Sequence, residues 1–491
     1  MSDEAVSDAQ VMERSAARAS SNLRAGPAEE TSRIAWLDAL RGFALLGILW
    51  ANVRQMFLPF EAGGFAVVLG GSERLAWLDW QVFHALIDLK FLTLFSLLFG
   101  VSFALQNERL EARGHGFTAI YLRRVLILAL LGVAHGLLLY SAEVLLCYAI
   151  AGLLLLTMRR WSAERLLQGG LILLGVTLIW GYQIGSLGRV SFVLTLVSAV
   201  MLAAVILLLW RRSRPLALAA WTVVLITAAI VLTLQFAGGN PEDALANEYR
   251  AAQEQLAAIA GDAAETAPEE WLVRQSGDFG ALLQLHAAQY ALLLLYLVIF
   301  LLWRTLALFM VGAGIFRSGF VTNGSATEWS RVARLGLGVG LPLSLVATWL
   351  TQRELSGVVD WRWPDFLHML SALPLAAGLA AVVFLWRARP GQRWLWSLVE
   401  AAGRTALTNY IGQSFVIALL AEPWGFGLYG ALNGVAMTAV AIVVYALLAE
   451  GSYRWLRHFR LGPLEWLWRC GTYWQWLPNR RSTPGVPTAS G

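Results

Sequence analysis

Runs of about twenty apolar residues recur twelve times along this 491-residue chain, and nearly all are long enough for a helix to cross a hydrocarbon layer of roughly 30 Å. Inside lipid every backbone amide of such a run needs a partner within the run itself, and a single segment meets that demand only as a helix. The expected fold is therefore all-α, a polytopic transmembrane helical bundle of about 10–12 spans. They are placed near 37–58, 77–106, 122–141, 143–158, 166–187, 190–210, 216–237, 286–312, 330–350, 366–386, 403–421 and 433–453. The fourth is short. The eighth is long enough for a tilted helix, or for a helix with an interfacial segment. Composition agrees, with 58% hydrophobic and only 14% charged residues, where soluble domains run nearer a quarter charged.

Around these spans the chain divides into six parts. Residues 1–33 lack the apolar stretch of a signal peptide and read as a disordered cytoplasmic tail; 34–236 are the N-terminal transmembrane helices. Residues 237–285 form an acidic extracytoplasmic segment, 286–458 the C-terminal transmembrane helices, 459–479 an interfacial aromatic segment and 480–491 a second disordered tail. A net charge of +5 could suggest nucleic acid, but the basic residues follow the loops: with those toward span ends counted in the adjoining loops, 27 fall on one side and 7 on the other, and three, Arg41, Lys90 and Arg404, are counted within spans. Cytoplasmic loops carry that excess. Both termini are thus expected in the cytoplasm, with the chain multi-pass in a membrane, the bilayer as partner and no nucleic acid. Cys147 and Cys470 make neither a disulfide framework nor a metal set. No Walker loop, His-Glu-x-x-His or Gly-x-Ser-x-Gly is present, so the common ATPase and hydrolase chemistries lack their parts.

Charge within a span costs at least ~2.5–3.5 kcal/mol at the bilayer centre, so ionisable residues there are candidates for function or for pairing. In span 1, Arg41 and Asn52 are eleven residues apart and share a helix face; Asp38 can instead pair with Arg41. Lys90, the one lysine of the chain, can hold a phosphate or carboxylate, or neutralise Asp79, Asp88 or Glu143. His135 and Glu143 flank the tight turn between spans 3 and 4, where an imidazole and a carboxylate can meet as a base and its orienting partner; a packed histidine is the structural alternative. Arg404, Thr408 and Asn409 open span 11 at spacings that share one face. After span 12, Gly462-Pro463 followed by Glu465-Trp466-Leu467-Trp468-Arg469 suits a helix lying in the headgroup layer.

Several segments, in order, resemble the bacterial YeiB-type family of uncharacterised inner-membrane proteins. They are Asp38-Ala-Leu-Arg41-Gly, Lys90-Phe-Leu-Thr-Leu-Phe-Ser-Leu-Leu-Phe-Gly100, His135-Gly-Leu-Leu-Leu with Glu143-Val-Leu-Leu, Phe316-Arg317-Ser-Gly319, Gly403-Arg404-Thr-Ala-Leu-Thr-Asn409-Tyr410 and Gly462-Pro463-Leu-Glu465-Trp466-Leu-Trp468-Arg469. That family is in turn similar to the acyltransferase-3 group and the heparan glucosaminide N-acetyltransferase-like membrane acyltransferases. The resemblance implies a cytoplasmic acyl-CoA donor, with no tightly bound cofactor and no metal, and an extracytoplasmic sugar or lipid acceptor. Acyltransferase-3 enzymes carry a histidine eleven residues after the span-1 arginine, where this chain has Asn52. Where the family shows Gly-Asp, this chain has Ala142-Glu143.

Two active readings follow. In the first, Arg41 and Arg404 receive the donor phosphates, Lys90, Asn52 and Asn409 line the substrate path, and His135, oriented by Glu143, is the base. In the second the same buried groups serve a secondary transporter for a small solute, with no acyl transfer. A non-catalytic scaffold is the third. Oligomeric state is not written in these patterns.

Overall fold

The computed structural model of the chain describes residues 34–58, 73–112, 117–184, 269–355 and 362–481. The two tails, the expected spans 190–210 and 216–237 and most of the acidic segment lie outside the described residues. Among the described residues the chain is helical, with no strand and one isolated bridge between Phe459 and Arg480. Among the described residues six helices are long and apolar enough to cross a membrane, at 35–57, 74–112, 117–138, 326–351, 364–387 and 434–458, and two shorter apolar helices lie at 145–157 and 406–421. The protein is an all-α polytopic bundle.

The first helix, α1 (Ala35–Phe57), is the hub. Leu37, Leu40, Ala44, Leu45, Leu49 and Val53 are almost wholly buried along it. Its close neighbour is α13 (Arg393–Arg404), and two glycines allow the approach. A Cβ at Gly42 would overlap the carbonyl of Val399, and one at Gly403 would overlap that of Asp38.

The second span is broken, where an uninterrupted helix over 77–106 is expected. It comprises α2 (Glu73–Val82), a π-helical turn at Phe83–Ile87 and α3 (Lys90–Ala112). Leu89, between them, sits in the left-handed region at φ 58°. Carbonyls at the break find side-chain partners: His84 accepts from Lys90 Nζ at 2.7 Å, and Ala85 from Ser344 Oγ at 2.7 Å. Hydrophobicity along the chain does not register this exchange of backbone for side-chain hydrogen bonds.

Next come α4 (Phe117–Leu138) and α5 (Leu145–Thr157), joined by the tight turn expected there, then α6 (Ala163–Ile184). A short α7 (Glu269–Ser276) precedes the long eighth span. That span is α8 (Phe279–Tyr296), a π-helical turn at Leu297–Leu301 and α9 (Leu302–Arg317). Arg304, counted above among loop arginines, is buried inside it and donates to Thr93 Oγ1 at 2.6 Å. The four-residue α10 (Phe320–Asn323) leads to α11 (Ala326–Leu355) and α12 (Arg362–Arg387), the most extensively packed helix pair.

Span 11 also differs from expectation. α13 stops at Arg404, and α14 (Ala406–Ala421) starts afresh, so Arg404 and Asn409 do not share one continuous helix. The new N-terminus has orphan amides, and they are capped from another helix. Glu465, on α16 (Pro463–Tyr473), accepts from the amides of Leu407 at 2.6 Å and Thr408 at 3.1 Å and from the Thr408 hydroxyl at 2.6 Å. Between them runs α15 (Gly434–His458). Leucine, isoleucine and valine side chains such as Leu130, Ile172, Leu335, Val443 and Leu447 are exposed on the bundle's outer surface, as lipid contact requires.

Filling the α1–α13 contact tests this packing. Gly403→Val is expected to cost on the order of 1–3 kcal/mol or more, the range for overpacked cores, read as a lowered thermal unfolding midpoint of the detergent-purified protein. An unchanged midpoint would refute the close approach.

Candidate functional site

Where α1, α3, α4, α5, α14, α16 and the end of α13 converge, they leave a cavity of about 320 Å³. Five arginines line it, Arg41, Arg109, Arg124, Arg404 and Arg469, against two carboxylates, Asp38 and Glu465. They come from separate elements: the start of α1, the end of α3, the first half of α4, the end of α13, and α16. Aromatic and aliphatic side chains form the rest of the wall, among them Phe95, Phe99, Phe103, Tyr148 and Tyr410. The cavity is therefore two-sided in chemistry, cationic toward the end of the bundle where α1 begins and apolar beyond it.

Contacts hold two of these cations in place. Arg41 Nη1 pairs with Asp38 Oδ1 at 2.5 Å, and its Nη2 donates to Ser102 Oγ at 2.8 Å. Arg124 stacks on the ring of Trp468, 4.0 Å from guanidinium carbon to centroid, while the Trp468 indole donates to the Arg124 carbonyl at 2.9 Å. The α16 helix thus forms part of the cavity wall as well as capping α14. Its exposed Leu467, with Trp474 and Trp476 just beyond it, suits the headgroup layer.

Of the residues singled out from sequence, Arg41 and Arg404 line this cavity together. Asn52 lies one turn beyond Ile48, a wall residue; it is 9% exposed, and its Nδ2 has no hydrogen-bond partner among the described residues. His135 is 3% exposed, and neither ring nitrogen has a hydrogen-bond partner among the described residues. Its ring centroid is 5.1 Å from that of Tyr410, which forms the cavity wall. Buried polar atoms of this kind normally find partners.

Glu143 is engaged elsewhere. Its carboxylate accepts from the amides of Leu145 and Leu146 and from the Tyr290 hydroxyl at 3.1 Å. It caps α5 and ties that helix to α8, with no hydrogen bond to His135. Lys90 is outside the cavity, with its Nζ 3.2 Å from His368 Nδ1. Asn409 is buried, and its amide donates to Ala402 O at 3.1 Å and to Thr405 Oγ1 and Ser452 Oγ at 3.0 Å each. It stitches the α13–α14 break to α15.

Arg109, Arg124 and Arg469 escaped the sequence reading because the loop count absorbed them. Their common location at one end of the bundle was the available signal. Among the described residues no group of three His, Cys, Asp or Glu side chains could hold a metal ion.

The fold and this cavity define a multi-pass helical membrane protein with an arginine-lined chamber at one end. Residues 315–475 match a family described as protein of unknown function (DUF418). The chain is 25% identical to the uncharacterised protein YxaH of Bacillus subtilis over 471 residues, covering 93% of this chain and 98% of YxaH. It is 28% identical to the uncharacterised protein YeiB of Escherichia coli over 443 residues, covering 88% and 94%. Over most of its length the chain is thus similar to uncharacterised proteins of the YeiB and YxaH type. No solved structure matches it.

The structural role of Asn409 has a direct check. Asn409→Leu leaves the Ser452 and Thr405 hydroxyls short of a partner, which costs about 1–3 kcal/mol. Thermal unfolding should fall accordingly, whereas an unchanged midpoint would argue against that role.

Proposed function

We propose that the chamber binds the phosphates and acyl-bearing arm of an acyl-CoA, and that the protein is a membrane acyltransferase. The observation that carries this is the pairing, in one cavity, of five arginines with an aromatic, apolar end bordered by an unbonded His135. Guanidinium groups suit phosphate oxygens, which they can engage two at a time. About 320 Å³ is at the lower end of the range for small-molecule sites, room for the acyl-pantetheine arm with the nucleotide left among the arginines. The excess of loop arginines on one side supports a cytoplasmic position for this end of the bundle. The donor then enters from the cytoplasm and its thioester points toward the opposite face.

In this reading His135 takes the proton from a hydroxyl or amine of an extracytoplasmic sugar or lipid. The acceptor oxygen or nitrogen bonds to the acyl carbon, the carbon–sulfur bond breaks, and the thiolate of CoA leaves and takes up a proton. Tyr410 lies between the cavity and His135 and positions the ring. Asn52, an amide with an unused donor, supports the acyl group. Glu143 acts through helix position, by fixing the start of α5.

Calorimetric titration of acyl-CoA into the purified protein tests the binding step. A charge-assisted hydrogen bond is worth about 1.5–3 kcal/mol, so Arg41→Ala and Arg404→Ala should each weaken binding roughly tenfold to a hundredfold. Binding that persists unchanged in both would overturn the assignment.

His135→Ala should keep binding and lose acyl transfer to a sugar or lipid acceptor. Full transfer by that variant would remove the base. Solute uptake into proteoliposomes without any CoA, dependent on the same arginines, would favour the transporter instead.

A further inference from the structure

A second set of buried ionisable groups lies apart from the chamber, at the break in the second span. Lys90 is 0% exposed, yet no ion pair among the described residues reaches its Nζ. Its two hydrogen-bond contacts are the His84 carbonyl at 2.7 Å and His368 Nδ1 at 3.2 Å. A buried ammonium that served only to hold helices together would be expected against a carboxylate. Here the side chain partner is an imidazole nitrogen, which can give or take a proton.

The groups facing Lys90 come from every neighbouring element. Its own segment supplies Asp88 and His84, with His84 Nδ1 3.7 Å from Asp88 Oδ2. From α12 come His368 and Asp365, the latter close enough to Asp88 to interact electrostatically. From α9 comes Arg304, which acts on Lys90 and is itself bonded to Thr93. From α11 comes Thr351, whose hydroxyl is 3.3 Å from His368 Nε2. The His84 and His368 ring centroids are 6.1 Å apart. Asp88, unlike the buried imidazoles and amine, is 29% exposed.

The backbone here is irregular in two ways at once. A π-helical turn abuts a leucine at φ 58°. Strain of that type persists where the surroundings enforce it, often at working sites. The break lets the Lys90 side chain fold back toward His84 and meet α12. The cluster lies one turn from the end of α11 and two turns into α12, toward the end of the bundle away from the arginine chamber.

We infer that Asp88, His84, His368 and Lys90 form a proton-exchange site, filled from the aqueous phase at the face where α11 ends and α12 begins. A proton leaves water for the Asp88 carboxylate, passes to the imidazoles, and ends on the Lys90 amine; the reverse path returns it. Only O–H and N–H bonds form and break, and nothing is oxidised or reduced. The site does not depend on acyl transfer and stands or falls separately from it.

The single lysine makes the test clean. Protein labelled with [13Cε]lysine gives one side-chain signal, from Lys90. Reconstituted with one orientation in liposomes, with the two compartments buffered separately, its shift should follow a pH step on the α11–α12 face and ignore a step on the other. Asp88→Asn should slow that response at least tenfold, and His84→Gln, behind it, should do likewise. A signal that ignores both compartments, that follows the opposite one, or that responds at the wild-type rate in both folded variants overturns the inference. If neither variant folds, the two-compartment step on the unmodified protein decides alone.

Discussion

A charge buried in a lipid-embedded bundle has to be paired, hydrogen-bonded or turned toward a polar space. Most of the architecture described above answers that constraint. Arg54 pairs with Asp79 at 2.5 Å and lies 4.3 Å over the Phe83 ring. Arg274 engages Glu422 and Glu270 and stacks on Tyr429. These pairs fasten helices together, and truncating one partner would strand the other. Around the chamber the balance differs, since five arginines share two carboxylates.

Two helix breaks shape the places where polar chemistry collects. At Thr405 the chain stops and restarts, so Arg404 ends α13 while the new N-terminus of α14 is capped by Glu465 from α16. The same helix presents Trp468 and Arg469 to the chamber, so capping and wall-building are done by one element at the membrane surface. At Leu89 the second span restarts, and the carbonyls of the break take Lys90 and Ser344. Irregular backbone at membrane depth is tolerated where protein buries it or where it lines a cavity, and both breaks meet that condition.

Much of the bundle was legible in the sequence because length and hydrophobicity decide where a helix can cross. The spans at 37–58, 122–141, 330–350, 366–386 and 433–453 correspond to helices within a few residues. The breaks were not legible, since Phe83 to Phe91 holds no proline or glycine to mark a stop and one side chain that replaces a backbone bond there, Ser344, comes from a distant segment. Arg41 and Arg404 could be paired from their depth in spans 1 and 11. Arg109, Arg124 and Arg469 could not, because on the chain they read as ordinary loop charges and only packing brings them to one wall. The closeness of His135 and Glu143 in sequence suggested a hydrogen bond. The turn geometry instead gives the carboxylate to the first amides of α5 and to Tyr290, and leaves the imidazole against Tyr410.

The central claim is that one chamber takes both ends of an amphipathic anion, phosphate among the arginines and chain among the aromatics. Photolabelling measures this most directly, with an acyl-CoA carrying a diazirine at the tip of its acyl chain and the adducts mapped by peptide mass spectrometry. The account predicts adducts on α3, α5 and α14 near Phe95, Phe99, Tyr148 and Tyr410, suppressed by excess unlabelled acyl-CoA. Adducts confined to outward residues such as Leu130 and Leu335, with no suppression by the competitor, would contradict it.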